Sequence, residues 1–146
     1  MSGCSLLSED PAGMTASAAV ALNRGGPLGT TLTETLMQLS TGDATAAITR
    51  YAGLSTSCHT FTATVSGSQI TFTTTPLDFP SLGDGTVAAR IVASFEGIGT
   101  VAAEDVVIVR RGGTLILLSN AGSSSVDSGL TVSSARTSLQ KVAARW

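Results

Sequence analysis

The chain has 146 residues, of which 42% are hydrophobic and only 12% are charged, with a formal net charge of −2. This length fits one domain, residues 1–146, with a continuous core. Eight basic residues scattered among ten acidic ones do not supply the cationic face that nucleic acid binding requires. No run of about 18 apolar residues is present, so no transmembrane helix is predicted. The charged share is about half that of a usual soluble domain, and Ser, Thr, Ala and Gly take its place.

The first third of the chain predicts an edge strand followed by a helix. Met14–Leu22 alternates small polar residues with Ala and Val, which favours a strand over a short helix. Thr30–Leu39 places Leu32, Leu36 and Leu39 at helical intervals, so we expect a helix there.

A second short helix is expected directly afterwards, over Ala44–Ala52. Asp43 precedes it and is a good N-cap residue, because its carboxylate can accept from the free amides of the first turn. Gly53 follows it and is expected to end the helix in the left-handed conformation that glycine adopts most easily.

The middle of the chain, Cys58–Ser119, predicts five successive strands joined by glycine turns. Clean alternation in the first two indicates a half-exposed antiparallel pair. The continuous apolar runs Val106–Val109 and Leu115–Leu118 indicate central strands that helices cover on both faces. The five predicted strands are Cys58–Val65, Gln69–Thr75, Thr86–Glu96, Val101–Arg110 and Thr114–Ser119.

The last element is a helix from about Thr131 to the end of the chain, after a loop over Asn120–Gly129. Its apolar stripe recurs at three- and four-residue intervals. The fold class expected from these elements is α+β, with an antiparallel sheet of five or six strands packed against two short helices and a C-terminal helix. The stripe consists of Val132, Ala135, Leu139, Val142 and Trp146.

No catalytic set emerges from the residue types present. The one histidine, His59, follows Cys58 on a predicted strand, so the two side chains point to opposite faces and cannot form a nucleophile–base pair. His59 is expected to be exposed to solvent. One histidine and two cysteines are too few for a typical zinc site, and no cofactor or metal is predicted.

Three acidic residues lie near the predicted Gly97–Gly99 hairpin: Glu96, Glu104 and Asp105. Paired carboxylates can hydrolyse glycosides across a cleft, but solvated charges that protect a sheet edge are the favoured interpretation here.

Three arginines are weak candidates for contact with a ligand. Arg110 and Arg111, beside Gly112–Gly113, could hold an anionic ligand, although a charged hairpin end explains them equally well. Arg90 is the third candidate, on the polar face of its predicted strand.

The two cysteines allow two interpretations. A Cys4–Cys58 disulfide, which is preferred because an unpaired cysteine is unusual in an exported protein, would tie the start of the chain to the first strand of the middle segment. In the alternative, Ser2-Gly3-Cys4 is the remnant of a bacterial lipobox, and Cys4 carries lipid.

Three segments together resemble the extracellular sensor domains of actinobacterial serine/threonine kinases of the PknH type and related stand-alone lipoproteins. This resemblance implies a sheet packed with helices, a cleft for a small ligand and a location outside the cytoplasm. Members usually contain two disulfides, whereas this chain can form at most one. The segments are Leu6-Leu7 with Asp10–Met14, Cys58–Thr62 and Val106–Gly113.

The function expected from these observations is a non-enzymatic, extracytoplasmic sensor-like or small-ligand-binding domain, with the soluble part of a lipoprotein as one form of it. Its partner would be a small ligand or another protein, and its parent would carry a lipid anchor or a membrane tether. The alternative is a structural or interaction protein that self-associates through its sheet. Either a monomer or a homodimer is compatible with the sequence. A hydrolase would need a Ser/His pair that the pattern does not supply.

Overall fold

The computed structural model describes residues 4–26, 29–123 and 125–145, which form one antiparallel sheet with helices on both faces. The seven strands lie in the order β1-β2-β7-β6-β5-β4-β3. The strands are β1 (Ala16–Arg24), β2 (Thr30–Gln38), β3 (Thr60–Val65), β4 (Ser68–Pro76), β5 (Gly85–Phe95), β6 (Gly99–Arg111) and β7 (Thr114–Gly122). The helices in the described residues are α1 (Ser5–Ser8), α2 (Thr41–Tyr51), α3 (Leu54–Ser57) and α4 (Ser128–Arg145).

The α+β class is confirmed, but the predicted five or six strands are corrected to seven. The first third of the chain supplies two of them, β1 and β2. The predicted edge strand is confirmed as β1, and the helix predicted over Thr30–Leu39 is wrong, because this segment is strand β2. An interval of four residues returns to the same side in a strand as well as in a helix, so Leu32 and Leu36 fit both. The abundant β-branched threonines of this segment favour the strand, and β2 pairs with β1 and β7.

The second predicted helix is confirmed as α2, with different ends. Its N-cap is Ser40, whose hydroxyl accepts from the Asp43 amide at 3.0 Å and donates to the Asp43 carboxylate at 2.8 Å. Asp43 therefore lies inside the first turn, where its charge also favours the helix dipole. The C-cap is Ala52, and Gly53, with φ −81°, begins α3 instead of ending α2 in the left-handed conformation.

The prediction that the middle strands are covered on both faces is confirmed for β6 and β7. Val106–Val109 is buried throughout, as are Leu115, Ile116 and Leu118. Alternate residues of β6 and β7 belong to two separate cores, one on each face of the sheet. One lies under α1, α2 and α3, and includes Leu54, Tyr51, Ile108 and Leu115. The other lies under α4, and includes Val107, Val109, Ile116, Leu118, Ala135 and Val142.

The C-terminal helix is confirmed but begins at Ser128, earlier than predicted. Asp127 caps it, since one of its carboxylate oxygens accepts from the amides of Gly129 and Leu130 at 2.9 and 3.3 Å. The predicted packing of Trp146 lies outside the described residues. Strand β7 continues to Gly122 and so takes up the start of the predicted loop.

A disulfide joins Cys4, just before α1, to Cys58, just before β3, with 5.5 Å between their Cα atoms. Both half-cystines are buried in the core beneath α2. The bond therefore holds α1 against the face of the sheet that carries α2 and α3.

Candidate functional site

Two neighbouring acidic residues of β6, Glu104 and Asp105, lie on opposite faces of the sheet because side chains alternate along a strand. Asp105 faces α4 and is fully buried, whereas Glu104 faces α1 and α2 and is half-buried. The predicted cluster of solvated charges with Glu96 is therefore wrong. Glu96 is the one member that is exposed at the hairpin.

The Asp105 carboxylate is fully engaged in hydrogen bonds at the start of α4. Its neighbour across the strands is Arg90 of β5, which donates from Nε at 2.7 Å and from Nη2 at 3.1 Å, one bond to each carboxylate oxygen. The hydroxyls of Ser128 and Thr131 donate to Oδ2, each at 3.1 Å. Because Ser128 and Thr131 belong to α4 while Arg90 and Asp105 belong to the sheet, these hydrogen bonds fasten α4 to the sheet. We call these four residues the Asp105 clamp.

Two further contacts extend the Asp105 clamp. Arg90 Nη2 also donates to the Ser128 hydroxyl at 2.6 Å, and the buried Asn120 amide donates to the Thr131 hydroxyl at 2.9 Å. The hydrogen bond to Asp105 raises the pKa of the Arg90 guanidinium, so Arg90 stays charged at any physiological pH. A saturated ion pair of this kind is suited to holding structure and leaves no acceptor for a substrate.

The opposite face carries a groove where α1 and α2 leave the central strands uncovered. Two adjoining cavities of about 120 and 90 Å³ form it, and both are lined by Ile91 and Glu104. We call it the Glu104 groove. The first cavity is further lined by Leu6, Leu7, Tyr51, Val106, Leu117 and Ser119. The second is further lined by Phe72, Ala93, Ala102, Ala103 and Ala121.

Among the described residues, Glu104 is the only charged side chain that lines the Glu104 groove. The Ser119 hydroxyl on β7 donates a hydrogen bond to Glu104 Oε1. Within the described part of the chain, no arginine, lysine or histidine forms an ion pair with this carboxylate. The groove therefore combines apolar walls with one carboxylate that can accept further hydrogen bonds.

The end wall of the Glu104 groove is built by α1 and the last turn of α2. Leu6 and Leu7 come from α1, which the disulfide holds in place, and Tyr51 comes from α2. Burial raises the pKa of the Tyr51 phenol above 10.0, with a smaller opposing effect from Arg50 and a smaller raising effect from Asp10. Tyr51 is thus a neutral, amphipathic wall of the groove at physiological pH.

The arginine candidates from the sequence are dispersed over the molecule. Arg90 belongs to the Asp105 clamp. Arg110 donates to the carbonyl oxygens of Gly112 at 3.2 Å and Asp84 at 3.3 Å, so it links the β6–β7 turn to the loop that precedes β5. Arg111 is exposed and lines an open depression together with Gln38, Asp84, Gly112, Gly113 and Thr114.

His59 is exposed, and its Nδ1 lies 3.1 Å from the Thr74 carbonyl oxygen. Cys58 beside it is buried and disulfide-bonded. Among residues 4–26, 29–123 and 125–145, no group of three or more His, Cys, Asp and Glu side chains is arranged to hold a metal ion. No helix in these same ranges is both long and apolar enough to cross a membrane.

Comparison with known proteins yields a likeness of fold. No family model and no curated protein matches the chain. A solved structure with a similar fold is the extracellular domain of PknH from Mycobacterium tuberculosis, with a TM-score of 0.59 and 13% sequence identity. The match covers 75% of this chain but only 56% of the PknH domain. The resemblance expected from the sequence is therefore confirmed at the level of the fold alone.

Proposed function

We propose that this chain is a non-enzymatic, extracytoplasmic ligand-binding domain of the sensor type, and that its ligand lies in the Glu104 groove. The observation that carries the proposal is Glu104 itself, a half-buried carboxylate without a cationic partner at the junction of two apolar cavities. Buried carboxylates that serve structure are normally satisfied by the protein, as Asp105 is by Arg90, Ser128 and Thr131. A group with unused acceptor capacity in a concave apolar site is suited to recognition.

The chemistry of the Glu104 groove favours a small molecule with an apolar body and a cationic or hydrogen-bond-donating group. A carboxylate in a partly dehydrated site repels anions and pairs with cations more strongly than it does in bulk water. The two cavities are small beside drug-sized pockets of roughly 300–1,000 Å³. A single ring or short alkyl chain that bears an amine fits this description.

The proposed location outside the cytoplasm is supported by the disulfide and by the fold. Disulfides persist in oxidising compartments and are rare in the cytosol. The PknH domain that shares the fold is extracellular. We assign Cys4 to the disulfide and not to a lipid anchor, because one sulfur atom cannot form both bonds.

The test uses three probes with one apolar body: benzylamine, benzyl alcohol and benzoate. In thermal-shift measurements, we expect benzylamine to raise the melting temperature most, because a ligand that binds only the folded state stabilises it. Glu104→Gln keeps the shape and can still accept from Ser119, but it should abolish the advantage of the amine. Glu96→Gln, at the exposed hairpin, is the matched control and should behave as the wild type.

Anionic probes distinguish the arginine candidates from the Glu104 groove. Stabilisation by benzoate or inorganic phosphate that disappears in Arg111→Gln would place the ligand site in the depression beside the β6–β7 turn and contradict the proposal. An amine response that persists in Glu104→Gln would contradict it equally.

A further inference from the structure

Strand β1 lies at one edge of the sheet, and no element of the described residues covers either of its faces. All nine of its residues are exposed, and the largest apolar side chains, Val20 and Leu22, keep 54% and 60% of their surface in contact with solvent. Its outer edge presents a row of backbone N–H and C=O groups, since β1 pairs only with β2.

This edge also lacks the features by which proteins normally prevent edge strands from pairing. Such features are charges, prolines, bulges and short length. Strand β1 has nine residues, no proline, a single charge at its last position, Arg24, and an uninterrupted register with β2. The other edge, β3, has only six residues, begins beside α3, and contributes Phe61 to the core.

We propose that two copies of this chain pair antiparallel through β1, joining their two sheets into one continuous sheet. An edge strand that pairs with itself makes a two-fold, isologous contact, which closes as a dimer and leaves no β1 edge free for further growth. This inference is independent of the ligand proposed for the Glu104 groove.

The arrangement of side chains along β1 favours the antiparallel, self-matched pairing. With Val20 opposite Val20 of the partner subunit, Ala18 lies opposite Leu22 of the partner subunit, so a small residue meets a large one. The two Arg24 residues then lie at opposite ends, about 27 Å apart at about 3.4 Å per residue, whereas parallel pairing would place them side by side.

The proposed pairing buries apolar side chains mainly on the face of the sheet that carries α4. Ala18, Val20 and Leu22 share one face of β1, and their partners on β2 are Leu36, Glu34 and Leu32. Glu34 accepts from Ser138 of α4, which identifies this face as the one that carries α4. In the dimer, the exposed apolar residues of both copies meet as one strip between the two α4 helices.

The test is sedimentation velocity on the intact, disulfide-bonded chain over a range of concentrations. We expect a reversible dimer, and Val20→Lys should weaken it by about tenfold or more, because like charges would lie directly opposite each other. The fold should be kept, since position 20 is exposed and lies opposite Glu34 in its own subunit. Val65→Lys, at an exposed position of β3, is the matched control and should leave the dimer intact.

A mixing experiment tests whether position 20 of one subunit lies opposite position 20 of the partner subunit. Val20→Lys and Val20→Asp should each dimerise more weakly than the wild type when alone, and a mixture of the two should favour the one-to-one heterodimer. Ala18→Lys, opposite Leu22 of the partner subunit, should also weaken the dimer and takes the place of V20K if that variant does not fold. A wild-type chain that remains monomeric at every concentration overturns the proposal, as does a dimer that V65K disrupts and neither V20K nor A18K affects.

Discussion

Glu104 and Asp105 are adjacent on β6 but face opposite sides of the sheet, and the protein satisfies their carboxylates to different extents. On the α4 face, Asp105 is fully buried and receives four hydrogen bonds from Arg90, Ser128 and Thr131. On the other face, Glu104 receives one from Ser119 and borders a groove. A saturated carboxylate holds an element in place, whereas an unsaturated one remains available for binding.

The largest expected effect comes from removing the disulfide, which supports the groove face alone. Cys4→Ser combined with Cys58→Ser opens a loop of 54 residues, and we expect the free energy of unfolding to fall by about 4 kcal/mol. Urea denaturation measures this loss. Because α1 provides Leu6 and Leu7 to the groove, the amine response should also weaken, while the dimer through β1 persists. Unchanged stability, or an intact mass that shows two alkylatable thiols in the unreduced wild type, would contradict the prediction.

The second-largest effect is expected on the face of the sheet that carries α4, where the Asp105 clamp lies. Asp105→Asn leaves the Arg90 guanidinium beside a neutral group, and we expect a loss of about 3 kcal/mol in the free energy of unfolding. This figure lies at the low end for a broken buried ion pair because 32% of the Arg90 side chain remains exposed. Asp84→Asn is the control, since its ion pair with Arg110 is longer, at 3.8 Å, and the Asp84 side chain is 47% exposed. If Asp105→Asn and Asp84→Asn lowered the free energy of unfolding equally, the Asp105–Arg90 pair would not differ in strength from the exposed Asp84–Arg110 pair.

A smaller effect is expected from the corresponding change on the groove face. Glu104→Gln should alter the free energy of unfolding by less than about 1 kcal/mol, because the amide can still accept from Ser119. The free energy of benzylamine binding should nevertheless become less favourable by about 1.5–3 kcal/mol, which is the usual contribution of a hydrogen bond to a charged group. Calorimetric titration measures the affinity. If Glu104→Gln destabilised the fold as strongly as Asp105→Asn, the two faces would not differ in the way described.

The smallest effect concerns Tyr51, whose raised pKa reflects burial at the end of the groove. Since Tyr51 is the only tyrosine, the tyrosinate absorbance of the whole protein reports its titration directly. We expect a midpoint above 10.0 in the folded protein. The folded state holds this proton more tightly than the unfolded state, so the free energy of unfolding should fall as pH rises above 10. Tyr51→Phe should show a weaker fall, and a titration at the ordinary value would contradict the burial.

Much of the sheet could be predicted from the sequence because its patterns are local. Alternation in Phe61–Val65 and the apolar run Val106–Val109 each report the environment of a strand directly. The Cys4–Cys58 disulfide was the preferred one of two interpretations of the cysteines, and the structure contains it. Segment Thr30–Gln38 was mispredicted because the spacing of Leu32 and Leu36 fits either type of element, and its pairing with β7 decides between them.

The candidate site depended on information that is not local. The sequence analysis grouped Glu104 and Asp105 with Glu96 as solvated charges, although alternation along the strand would have placed the two on opposite faces. Their burial was not visible from the sequence. Only the register of β5 against β6 sets Arg90 opposite Asp105, and only the docking of α4 supplies the hydroxyl donors. The position of α1 decides where the groove ends. The types of the elements are thus largely a property of the chain's local patterns, while the difference between a clamp and a groove arises from which elements pack over each face.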